Sequence, residues 1–152
     1  MIGIEISGLS AFVKYTERLK KEFFSNFKKA GMIGVRDIQQ HFRNSEGQDS
    51  KWKAIEYRSG KPLQKTGALQ QSIAEAVHSD NTIEVGTKIK YARIHNFGGT
   101  IKPVKSEYLT FKVGDSYRKC KQVVIPQREF MWLSEDADNK ITVVLMDNWE
   151  RL

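Results

Sequence analysis

Ile2, Ile4 and Ile6 alternate with Gly3 and Glu5, the two-residue period of a short half-buried strand, and Ser7-Gly8 closes it. Ser10 follows at a position suited to capping a helix. Beyond it Phe12, Leu19, Phe23, Phe27, Ala30, Gly34, Ile38 and Phe42 recur mostly three or four residues apart, tracing one helical face from about residue 10 to about residue 43. At 1.5 Å per residue such a helix runs to ~50 Å, against the ~26 Å width of a compact domain of about 100 residues. The pattern therefore predicts a helix that bends, projects, or packs on something outside its own domain. Gly31 and Gly34 interrupt it at ~1 kcal/mol each relative to Ala, which marks either a kink or another segment in close approach.

Residues 44–63 are polar, rich in turn formers and without period, and read as a long loop anchored by Trp52. Residues 65–73 fit a short helix started by Thr66, leading into a hairpin of strands at 73–77 and 82–85. Residues 91–97 read as about two turns of helix stopped by Gly98-Gly99, a pair that permits left-handed backbone. Strand-like runs at 108–113 and 122–125 predict a second hairpin whose tip, residues 114–119, is basic and exposed. Ser134 caps a closing helix at about 134–150, with Glu135 and Asp136 in its first turn and Ile141, Val144, Leu145, Asn148 and Trp149 on one face. The order predicts one α+β domain over residues 1–152: a long N-terminal helix and a C-terminal helix packed on an antiparallel sheet, with a protruding basic β-hairpin.

Composition narrows the class. A chain of 152 residues with 39% hydrophobic and 28% charged side chains is the size of a single domain with one core. The lone Cys120 excludes an internal disulfide framework and a Cys-based zinc cluster, and it fits a reducing compartment. Apolar runs such as Val143-Val144-Leu145-Met146 fall far short of the roughly 18 residues of a membrane span, and the first residues lack the basic start and apolar core of a signal peptide. A soluble, intracellular product without a membrane partner is expected.

The net charge of +7 favours acidic or polyanionic company, and its distribution says more than its total. Residues 1–43 carry +4, residues 44–87 carry −1, residues 88–128 carry +8 and residues 129–152 carry −4. Lys105, Lys112, Arg118, Lys119 and Lys121 thus form a candidate basic surface facing protein or DNA, and Glu135, Asp136, Asp138 and Asp147 a candidate acidic one. The two can neutralise each other within one subunit or meet head-to-tail between copies.

Signals for catalysis are weak. None of His41, His78 and His95 stands in a metal-ligand pair, no Gly-x-Ser-x-Gly elbow occurs, and no Gly-rich phosphate loop is present. Cys120 sits among Arg118, Lys119 and Lys121, which favour its thiolate, but no motif places a base beside it. No metal, no cofactor and no enzymatic activity are expected. Tyr108, Phe111 and Tyr117, interleaved with the basic residues, suit a nucleic-acid-binding module as an alternative, with cations on phosphates and rings on bases. The same rings serve equally as strand side chains.

Three segments together resemble the phage virion morphogenesis family, the tail completion and head-to-tail joining proteins of tailed phages and prophages. Gly47-Gln48-Asp49-Ser50-Lys51-Trp52-Lys53-Ala54-Ile55 is similar to that family's Gly-rich loop ending in Trp, and Gly60-Lys61-Pro62-Leu63-Gln64-Lys65-Thr66-Gly67-Ala68-Leu69 with Ser72-Ile73 follows it. Val85-Gly86-Thr87 leading to Tyr91-Ala92-Arg93-Ile94-His95-Asn96-Phe97-Gly98-Gly99 resembles its Tyr-Ala-x-Ile-His-x-Phe-Gly-Gly signature. Ile125-Pro126-Gln127-Arg128-Glu129-Phe130 stands where the family usually reads Ile-Pro-Ala-Arg-Pro-Phe, departing at Gln127 and Glu129. The resemblance implies a structural subunit that joins or completes the tail as a homo-oligomeric ring. Its partners would be further copies of itself, tail-tube, connector or head-completion proteins, and transiently the packaged DNA. It would be found in the virion, at the head-to-tail junction or tail end, and in the host cytoplasm during assembly.

Overall fold

The computed structural model describes residues 9–56, 59–78, 82–113 and 116–147. The strand expected at residues 2–6, the turns at 79–81 and 114–115, and the closing-helix positions Asn148 and Trp149 lie outside the described residues.

Helix α1 spans Leu9–Asn44, 36 residues or ~54 Å, without a break at either glycine. Of the two explanations for those glycines, close approach is the one realised. A Cβ on Gly31 would stand 2.8 Å from the Glu75 Cβ and 3.1 Å from Ile83 Cγ2, and one on Gly34 would stand 3.3 Å from Val85 Cγ2. The missing side chains let a strand ribbon lie directly on the helix. That ribbon is the first hairpin, β1 (Ala74–Val77) paired antiparallel with β2 (Ile83–Gly86), close to its predicted place.

The short helix α2 is Ala68–Gln71. Its N-cap is Gly67 in the left-handed region, not Thr66, whose hydroxyl accepts only a long bond of 3.4 Å from Ala68 N–H. Helix α3, Ala92–Phe97, matches the expected two turns. Residues just past it extend into β3 (Gly99–Ile101), which the Gly-Gly stop concealed.

The second hairpin is differently built from the one expected. Strand β4 (Leu109–Val113) pairs with β5 (Ser116–Cys120), and the run expected as its partner, β6 (Val123–Ile125), pairs instead with β3. Residues 116–119 are therefore strand, not tip, because Tyr117 and Cys120 suit extended backbone and pair opposite Lys112 and Leu109. Among the described residues the antiparallel pairing forms three separate two-stranded ribbons. The α+β class stands.

Helix α4, Glu135–Met146, opens at Ser134, whose hydroxyl accepts from Ala137 N–H at 3.2 Å as the sequence predicts. Asp37 on α1 accepts from Ser134 N–H at 2.8 Å and Ser134 Oγ–H at 2.7 Å, which docks the start of α4 on α1. The core lies at the C-terminal end of α1, where Ile38, Phe42, Trp52, Leu69, Ile73, Ala92 and Phe130 bury one another. Phe42 meets Trp52 edge-on with ring centres 5.5 Å apart and Phe130 at 4.9 Å. Only the last third of α1 belongs to this core; the helix outruns it toward the N-terminus, as its length demanded.

Candidate functional site

The three motif-bearing segments converge on the end of α1 and are tied there by a small set of buried polar bonds. Loop residues Glu46 and Lys51 close on each other, Trp52 N–H donates to Ser45 O at 2.8 Å, and the Trp52 ring is carried into the core. Its indole Nε1–H then donates to Glu129 O at 2.8 Å, so one side chain fills the core and fastens the returning chain. Asn96, buried on α3, accepts through Oδ1 from both Phe130 N–H at 2.9 Å and Met131 N–H at 3.0 Å. These backbone donors leave no sheet to satisfy them, and Asn96 takes that role.

Arg128 is also buried. Its Nε–H and Nη2–H donate to Lys53 O at 3.3 and 3.2 Å, and its backbone N–H donates to His95 O at 2.8 Å. A single residue thereby joins loop 46–53 to α3. Gly98, at φ 70°, lets the chain leave α3 against the segment that carries Arg128: a Cβ there would stand 2.8 Å from Gln127 N. His41, on α1, donates through Nδ1–H to Phe130 O at 3.1 Å while its ring stacks on Trp132 at 3.9 Å. Further along, Ser72 Oγ and Thr87 Oγ1 lie 2.7 Å apart, linking α2 to the segment after β2.

Of the motif residues, Trp52, Leu69, Ala92, Arg128 and Phe130 enter the buried clasp, and Pro126 is half-buried beside it. Gly67, Gly98 and Gly99 supply positive-φ turns. Thr66 and Tyr91 lie exposed at the mouth of a small cavity of about 220 Å³ that His95, Arg128 and Leu69 also line. Phe97 is not part of the core: 66% of its surface is open, beside Lys90 and Arg93. The sequence reading missed His41, Asn96 and Asp37, which hold the clasp and α4. Asn96 occupies a variable position in the motif as quoted, so no pattern singled it out.

His95 lines the cavity with an Nδ1 that is buried without a hydrogen-bond partner. Burial, and secondarily the positive charge of Arg128, push its pKa below the ordinary value. Its ring also meets the edge of Tyr91, ring centres 5.8 Å apart. Among the described residues no His, Cys, Asp and Glu gather into a group of three able to hold a metal ion, and no helix is long and apolar enough to cross a membrane.

The charged candidates named from the sequence fall on two surfaces, the β4–β5 ribbon and α4. In the β4–β5 ribbon, the pairings Lys112 with Tyr117 and Thr110 with Lys119 put two lysines and an aromatic ring on one face. Tyr117 is 75% exposed, and Arg118 shares the opposite face with its partner Phe111. Lys105 and Lys121 are exposed on the approaches to the ribbon. On α4, Glu135, Asp136, Asp138 and Asp147 are exposed, and Asp136 pairs with Lys140 one turn on. Val143 and Met146 are exposed among these acids.

The sequence profile of the phage virion morphogenesis family matches residues 39–150, from the last turn of α1 through α4. A curated relative, the Mu-like prophage FluMu G protein 2 of Haemophilus influenzae, is 29% identical over 153 residues, covering all of this chain and 99% of that protein. No solved structure matches this chain.

Proposed function

The chain belongs to the phage virion morphogenesis family, and from that premise we propose that it is a non-catalytic subunit that completes the tail or joins it to the head, acting as a ring of identical copies. The observation that carries this reading is how the family's motif residues are used. Trp52, Arg128 and Phe130 are spent on fastening three chain segments to the end of α1, which gives a rigid small body. Facing outward are, among others, two surfaces of opposite charge, the β4–β5 ribbon and α4. Opposite charge on different faces of one subunit fixes the orientation of a heterologous contact, and such contacts close into rings.

The name of the relative supports an origin in a phage or prophage. Partners in this reading are further copies of the chain together with tail-tube, connector or head-completion proteins. The test is genetic and structural: removing the gene from an inducible phage should leave separate heads and tails, and the purified chain should form a discrete ring by mass photometry. Normal infectious particles without the gene would refute the role. A chain that stays monomeric at high concentration, alone and with tail-tube protein, would refute the ring.

A second reading has its own observation, the exposed face bearing Lys112, Tyr117 and Lys119. Such a face suits phosphate contact and base stacking, and would place packaged DNA against the ribbon. Reversing Arg118, Lys119 and Lys121 together separates the two. Loss of duplex-DNA binding with a steep salt slope supports contact with DNA, whereas loss of tail attachment with no DNA binding in the wild type supports contact with protein.

A further inference from the structure

Helix α1 carries exposed apolar residues on the stretch that outruns the core: Phe12 is 62% open and Phe24 57%, with Val13 and Tyr15 between them. The same stretch is basic, since residues 12–24 hold four Lys or Arg and two Glu. Elsewhere on the body an apolar groove of about 610 Å³ runs along the α1 face from Phe27 to Ile38, between β2 (Ile83, Val85) and α4 (Ile141, Leu145). Its α4 wall is acidic: residues 135–147 carry Glu135, Asp136, Asp138 and Asp147 against Lys140, and Asp138 precedes Ile141 by one turn on the same side of the helix.

The two features fit in size and sign. The groove follows α1 for 11 residues, ~17 Å, and Val13 and Phe24, on one face of the helix, are also 11 residues apart, ~17 Å. A large apolar groove and exposed apolar side chains along a helix, both left open, are the mark of surfaces meant to be covered. Pairing two such helix stretches with each other would set +2 against +2. Seating one against the acidic α4 wall of the groove sets basic against acidic.

We propose that the N-terminal stretch of α1 from one copy docks in the groove between β2 and α4 of the next, as a head-to-tail contact of the ring. The proposal rests on the ring reading above and names the surfaces that make it. The helix supplies Val13 and Phe24, eleven residues apart and so on one face, to the apolar floor, and Lys20 and Lys21, one turn before Phe24, reach the acids of α4. Because the donor surface and the acceptor groove are different parts of one chain, each copy offers both and the contact repeats around a ring.

The experiment uses the full chain in three altered forms, with far-UV circular dichroism and melting curves showing that each stays folded; all the substituted side chains are exposed. Phe24→Glu, Lys20→Glu with Lys21→Glu, and Asp138→Lys with Thr142→Lys should each raise the concentration for half-assembly by roughly tenfold or more. A chain carrying both charge reversals should assemble again near the wild-type concentration. If the wild type forms a ring that none of the variants weakens, or if the doubly reversed chain fails to reassemble, this contact is overturned while the ring reading stands. If the wild type is monomeric, both fall together.

Discussion

Asn96 carries more of the fold than its size suggests, because two buried backbone donors, Phe130 N–H and Met131 N–H, depend on the one oxygen. Asn96→Ala strands both, and at ~1–3 kcal/mol per unsatisfied buried group the expected loss is about 2–4 kcal/mol, read as a lowered urea midpoint with unchanged slope. Phe130→Ala should cost about 3–5 kcal/mol, since the ring is wholly buried against Phe42. His95 gives a pH signature. Its folded pKa is depressed, first by burial and then by Arg128, so the unfolded chain, near 6.5, takes up the proton first as pH falls. The contribution of the neutral ring is complete above about 6.5 and is lost as pH drops through that value toward the folded one. In denaturation series between about pH 7 and pH 5, His95→Gln should therefore lose less stability than the wild type.

At the level of elements, the decisive contacts are those between α1 and what lies on it. Gly31 allows β1 to touch the helix, and Gly31→Ala brings a Cβ to 2.8 Å from that of Glu75, an atom fixed to backbone. The gain in helix propensity, ~1 kcal/mol, is outweighed by displacement of the β1–β2 ribbon, for which about 1–3 kcal/mol of net destabilisation is expected in thermal melts. Helix α4 hangs on Asp37. Asp37→Ala removes both bonds to Ser134 while leaving the Ser134 cap on Ala137 intact, so α4 should remain helical but undock. Faster hydrogen exchange across residues 135–146, with the clasp around Phe130 unchanged, is the outcome to look for.

The whole molecule is a fastened body with a long basic helix and a basic ribbon at its margins and an acidic helix on its side. Contacts between copies built on that polarity should weaken as salt screens exposed charge, so sedimentation at about 0.05 M and about 0.5 M salt should show assembly shifting to higher concentration. Strengthened assembly at high salt would mean that apolar burial alone drives it. Phe97 belongs at this scale as well. It lies in the family's motif yet stays exposed beside Lys90 and Arg93, which suits contact with another protein better than service to the fold.

Periodicity alone determined α1, the first hairpin, α3 and the capped α4, because each rests on local bonds and a face that repeats at its own period. The motif residues told which segments matter. Strand pairing was decided only in three dimensions: 108–113 was expected against 122–125, yet it takes the nearer 116–120, and the later run closes on 99–101 instead. Every strand-like run offers the same unpaired backbone groups, and which two meet is set by chain geometry between them, not by side-chain pattern. The same holds for Asn96 and Asp37. A polar residue reads as surface in a sequence, and only the folded chain, by bringing unmet backbone donors to it, makes it a fastening point.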